Sequence, residues 1–123
     1  MSYASEYYGD GGGAVTYANS VLRVTRNDTY SGVQFDVSTD FTGYTGLLTI
    51  RHRVTAAELM QVAVNVVDST ALSADLSAED TAFPLLVALS EFGPHPFDIQ
   101  MTKDAIVSTP ISGQAVIRKD QTT

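Results

Sequence analysis

From Val21 onward, apolar and polar residues alternate almost one for one. Val33, Phe35 and Val37 are interleaved with Gln34, Asp36 and Ser38, and Leu48 and Ile50 with Thr49 and Arg51. The same rhythm runs through Val62, Val64 and Val66, through Leu72, Ala74 and Leu76, through Phe97, Ile99 and Met101, and through Ala115 and Ile117. A period of two sends successive side chains to opposite faces of a strand, so each run predicts one dry and one wetted face. With Val21–Arg26 added, the pattern predicts about seven short strands. Asn27-Asp28, Asp68-Ser69 and Lys103-Asp104 fall between them as turns, because Asn and Asp side chains bond back to their own backbone. Phe35, Ile50, Val64, Ile99 and Ile117 are the expected core. Sheets with one dry face stack on it, so the expected fold class is all-β, a two-sheet sandwich. Arg51 and Arg53, or Arg23 and Arg26, would guard its edge strands against pairing with other chains.

Two stretches break the rhythm. Ser77-Ala78-Glu79-Asp80-Thr81-Ala82 opens with an N-cap residue followed by acids, and Leu85, Leu86 and Leu89 fall at helical spacing. Pro84 limits any helix before it. One or two short helical turns are therefore expected between 77 and 90, packing Phe83, Leu86 and Leu89 over one end of the sheets. Residues 1–20 hold Tyr3, Tyr7, Tyr8 and Tyr17, the run Gly9-Asp10-Gly11-Gly12-Gly13, and almost no large aliphatic side chain. Such a segment cannot nucleate a core. The domain organisation expected is a flexible, extended N-terminal arm over 1–20 and a β-sandwich over 21–123. The four tyrosines are the candidate partner-binding residues, since tyrosine gives large contact area for few torsions.

Length and charge narrow the picture further. At 123 residues the chain suits one domain with its own core. The absence of cysteine excludes disulfides, thiolate metal sites and cysteine nucleophiles. Fourteen acidic against seven basic residues, a net charge of −7, argues against nucleic acid as a direct partner. No apolar run is long enough for a membrane-spanning helix, and Met1–Glu6 carries neither the basic nor the apolar part of a signal peptide.

Candidate chemistry is sparse. His52 shares the parity of Leu48 and Ile50 and reads as a histidine at the wet end of a strand. His95, between Pro94 and Pro96, reads as a loop residue with Asp98 as its nearest partner. Hydrolysis would need those two with Ser90 or Ser112, and no serine lies in a Gly-x-Ser-x-Gly elbow. The carboxylates are scattered, no Asp-x-Asp-x-Asp ligand run occurs, and Glu79-Asp80 reads better as a helix start than as a calcium site. Gly9–Gly13 has no strand before it and no lysine after it, so it is not a phosphate loop. No enzyme, cofactor or metal is expected. Tyr30, Phe41 and Tyr44 are either a platform for a glycan or caps on the core.

Four ordered motifs carry a family resemblance. They are Val24-Thr25-Arg26-Asn27-Asp28; Asp40-Phe41-Thr42-Gly43-Tyr44-Thr45; Leu76-Ser77-Ala78-Glu79-Asp80-Thr81-Ala82; and Phe97-Asp98-Ile99-Gln100 with Ser112-Gly113-Gln114-Ala115-Val116-Ile117 and Asp120-Gln121-Thr122. Together they resemble the small immunoglobulin-like β-sandwich domains of tailed-bacteriophage structural proteins, such as the N-terminal domains that anchor baseplate upper proteins to the virion. The likeness runs from about residue 21 to 123. It departs at Asn27, where the family usually has glycine, and at Glu91–Pro96, where the family has a shorter connection. The resemblance implies an immunoglobulin-like sandwich with no catalytic residues. It implies a virion structural protein, made in the host cytoplasm, that binds other virion proteins as an accessory or adaptor of the tail, neck or baseplate, in a symmetric oligomer on the particle. A head decoration protein or capsid fibre base is the neighbouring expectation, and a glycan-binding module the one from another class.

Overall fold

The computed structural model describes residues 6–7, 20–86 and 93–118. Its strands are β1 (Glu6–Tyr7), β2 (Ser20–Thr25), β3 (Tyr30–Asp36), β4 (Thr45–Arg51), β5 (Glu58–Asp68), β6 (Ala71–Leu76), β7 (His95–Lys103) and β8 (Ile106–Arg118), with one 3-10 turn at Asp80–Ala82. They form one hydrogen-bonded mixed sheet in the order β1-β2-β8-β7-β4-β5-β6-β3. The β1–β2 and β2–β8 pairs are parallel and the others antiparallel. The runs with period two lie in strands, with Val37 and Ser38 just past the end of β3, and the five core residues expected from them are buried.

The sheet curls until its ends meet. β2 and β3 stand near opposite ends of the strand order, yet only Arg26–Thr29 joins them. At ~3.5 Å per residue, that link holds the two ends close together. The outward-facing Thr25 N–H donates to the Tyr30 hydroxyl at 2.7 Å, so the first residue of β3 satisfies an open group on the edge of β2. β1 also lies against β3. The enclosed dry face forms one core, from Leu22 and Val24 of β2 round to Val33 and Phe35 of β3.

β5 gives the curl its corner. Glu58–Val64 pair with β4, whereas Val64–Asp68 pair with β6, with register shifts near both ends. β8 carries a second irregularity: Ile99 faces Ile111 but Met101 faces Ser108. Pro110 sits in that bulge, where β8 has no partner on its other side among the described residues, because the ladder with β2 begins at Gly113. There β2 and β8 approach so closely that a Cβ on Gly113 would overlap the Ser20 carbonyl.

The predicted turns form. Asp68 accepts from the Thr70 N–H and hydroxyl at 2.8 and 3.1 Å. Asp40 does the same for Thr42 at 2.9 and 2.6 Å. Asp104 and Ala105 both have positive φ, 50° and 68°, in the two-residue link between β7 and β8. In the described part of the 77–90 segment, 77–86, the helix reduces to the 3-10 turn. Ser77 and Asp80 cap it reciprocally: the Asp80 N–H donates to Ser77 Oγ and the Ser77 N–H to the Asp80 carboxylate. Phe83 ends the turn at φ 46° and is buried with Leu86, as expected of an end cap. Leu89 lies outside the described residues.

Two expectations about edges and loops are corrected. Arg51 ends β4, a strand flanked by β7 and β5, so it guards no edge. Arg53 lies in the β4–β5 connection, and Arg26 is engaged through Nε with the Ala82 carbonyl at 2.7 Å. His95 is no loop residue: it is the first residue of β7 and fully buried.

Candidate functional site

Arm, histidines, aromatics and carboxylates were the candidates, and the fold separates most of them. Of the four arm tyrosines, Tyr7 has its backbone in β1, opposite Leu22 of β2. Tyr3, Tyr8 and Tyr17 lie outside the described residues. β2 begins at Ser20, which is itself buried, one residue earlier than the alternation suggested.

The histidines serve the β4–β5 connection. His95 Nδ1 accepts from the Arg53 N–H at 3.1 Å, and its Nε2 lies 3.3 Å from an Arg53 guanidinium nitrogen. His52 Nδ1 accepts from the N–H groups of Val54 and Thr55, and the two imidazoles pack with centroids 5.0 Å apart. His95 and Asp98 are three residues apart on one strand, hence on opposite faces. The pairing of His95 with Asp98 is therefore corrected to one with Arg53, and no nucleophilic triad assembles around Ser112. Ser90 lies outside the described residues. Among the described residues no three metal-ligating side chains converge, and Asp80 is committed to its cap.

Tyr30, Phe41 and Tyr44 make no platform. Tyr30 starts β3, while Phe41 and Tyr44 follow its far end, about 20 Å of strand away. Phe41 is buried, and its ring meets Tyr44 edge-on at 5.1 Å. Lys103 Nζ stands 5.8 Å over the Tyr44 ring. Beside this pair, the two hydrogen bonds from Thr42 hold the Asp40 carboxyl below the ordinary aspartate range, with a smaller contribution from the Lys103 charge.

Among the described residues, the fold creates a concavity on the wetted face of β4, β7 and β8. Its volume is about 330 Å³, and Thr49, Arg51, Pro96, Asp98, Thr109, Ser112, Gly113 and Gln114 line it with Phe97. Register explains it. Thr49 faces Asp98, and Asp98 faces Ser112, so a row of short polar side chains crosses three strands. One step along, Pro96 faces Gln114. Glycine, serine, threonine and proline form the floor, and the longer Arg51 and Gln114 rise beside it. Gln61 of β5 holds the Thr49 hydroxyl from the side at 3.1 Å. Sequence reading met Arg51, Asp98 and Ser112 in other roles and missed Thr49, Gln114 and Thr109. The signal was present, since these residues have wetted parity, but only the register brings them together.

The fourth resemblance motif supplies Phe97, Asp98, Ser112, Gly113 and Gln114 to this concavity, whereas the first and third form a joint elsewhere. The Asn27 N–H donates to the Thr81 carbonyl at 3.0 Å, Thr81 Oγ1 donates to the Asp28 carbonyl at 2.6 Å, and Arg26 reaches Ala82. The first and third motifs thus lock each other across the end of the fold. No family model matches the sequence, and no curated protein matches it either.

Proposed function

We propose that this chain is a non-enzymatic structural protein of a tailed-bacteriophage virion, an accessory or adaptor of the tail, neck or baseplate built on an immunoglobulin-like two-layer sandwich. The observation that carries the reading is the interlock of Arg26-Asn27-Asp28 with Thr81-Ala82, two motifs of the resemblance that are far apart in sequence. Asn27 has φ 67°, a conformation natural to the glycine that the family usually carries there, and asparagine tolerates it better than most residues. The strand order supports the layering. An immunoglobulin sandwich pairs its third, sixth and seventh strands in one layer and its second, fifth and fourth in the other. Counted from β2, the ladders β4–β7–β8 and β3–β6–β5 follow that order, with β5 bridging the layers through its ladder with β4.

The arm supplies the contact with other virion proteins. β1 adds to the edge of β2 through two residues, a pairing short enough to be replaced or extended on a neighbour. Tyr3, Tyr7, Tyr8 and Tyr17 are the anchors in this reading, and symmetry multiplies modest contacts into stable attachment. The test is incorporation into particles. A chain lacking residues 1–19 folds but fails to join virions, whereas the full chain joins them. Equal incorporation of both would remove the arm from the account. A head decoration protein or capsid fibre base would use the same arm, and position on the particle separates those roles from a tail adaptor.

A further inference from the structure

The concavity on β4, β7 and β8 goes beyond a role in assembly, because its polar side chains other than Thr49 are uncommitted among the described residues. The side chains of Arg51, Asp98, Thr109, Ser112 and Gln114 make no hydrogen bond or ion pair among the described residues. Four other aspartates, Asp40, Asp68, Asp75 and Asp80, each hold a backbone N–H. Asp98 is half-buried between Thr49 and Ser112 and holds none.

We infer that this concavity is a binding site for a neutral saccharide unit, with the Asp98 carboxylate accepting from ligand hydroxyls and Arg51 and Gln114 donating to ligand oxygens. The composition selects that class. A free carboxylate at the centre repels phosphate and other anions. The guanidinium at the rim repels a simple cation. The lining mixes apolar surface with these polar groups, so it meets both the C–H face and the hydroxyls of a sugar ring. A ring carrying several hydroxyls, each both donor and acceptor, matches one anion, one cation, an amide and hydroxyls held at fixed strand spacings. A volume of about 330 Å³ accommodates one sugar ring with part of its neighbour. The Thr49–Gln61 hydrogen bond and the ladders on both sides of β7 make the floor rigid before a ligand arrives.

The experiment is a titration of the isotope-labelled full chain, followed through backbone amide shifts. The probes are glucose, galactose, mannose and N-acetylglucosamine at millimolar concentration, with inorganic phosphate as an anion control. At least one sugar is expected to shift the amides of Asp98, Ser112, Gly113 and Gln114 in a saturable way. Asp98→Asn, which removes no hydrogen bond of the fold, should weaken that binding about tenfold or more, as loss of a charge-assisted bond does. Ser112→Ala should weaken it less, and Tyr44→Ala should leave it unchanged. Three results would overturn the inference: no saturable shift with any sugar, shifts centred on Tyr44 or Tyr30 instead, or a phosphate response at Arg51 that exceeds every sugar's. None of them bears on whether the chain joins a virion, so failure here stays distinct from failure of the assembly reading.

Discussion

Ala105 carries a backbone angle that alanine rarely adopts. With φ 68° it follows Asp104 in the link between β7 and β8, a two-residue turn whose twist suits the flanking strands but asks for Asp-Gly. A left-handed alanine costs about 1–2 kcal/mol, partly offset in glycine by greater chain entropy in the unfolded state. Ala105→Gly should therefore raise stability by about 0.5–1 kcal/mol, read as a higher urea midpoint with unchanged slope. Gly113 shows the opposite constraint. A methyl there would meet the Ser20 backbone, so Gly113→Ala should lower stability by more than about 2 kcal/mol and speed amide exchange along β2 first. Asp40 gives a dependence on pH. Its carboxyl ionises more readily folded than unfolded, so its contribution is present at neutral pH and fades as pH falls below about 4. Thr42→Val removes one of the hydrogen bonds responsible. Its stability deficit against the parent should be visible at pH 7 and shrink under acid, measured by urea unfolding at each pH.

Strands were legible in the sequence because each has a dry and a wetted face, and alternation reports that directly. Phe35 and Ile99 are both fully buried. Truncating either to alanine should remove roughly 3 kcal/mol, through lost burial and the cavity left behind. A near-neutral result in calorimetry would reverse the assignment of faces. The joints were less legible. Nothing local to Thr81 announces that its hydroxyl holds Asp28, fifty-three residues away. Thr81→Val keeps the shape and deletes that bond. It should cost about 1–2 kcal/mol and loosen the Arg26–Thr29 link, seen as faster exchange of the Asn27 amide. His95 was misread for the same reason. Flanking prolines suggest a loop, but Pro96 lies just beyond the ladder with β4 and faces Gln114 of β8, so the strand tolerates it.

At the scale of the whole molecule, topology decided what local pattern left open. Alternation cannot say that β5 serves two neighbours or that β2 runs parallel to β8. Those pairings set the curl and close the core, while the β4–β7 and β7–β8 ladders lay Thr49, Asp98 and Ser112 in one row. The acidic balance of the chain, −7 in net charge, opposes self-association. Residues 1–20 differ in composition from everything that follows, and Glu6–Tyr7 pairs with the β2 edge and lies against β3. The central claim is that this chain is built into a phage particle. The most direct test is to tag Thr123, label purified virions of the encoding phage with gold, and image them. The account predicts label at the tail, neck or baseplate. Label over the head would turn the adaptor into a decoration protein or fibre base, and particles without label would contradict the claim.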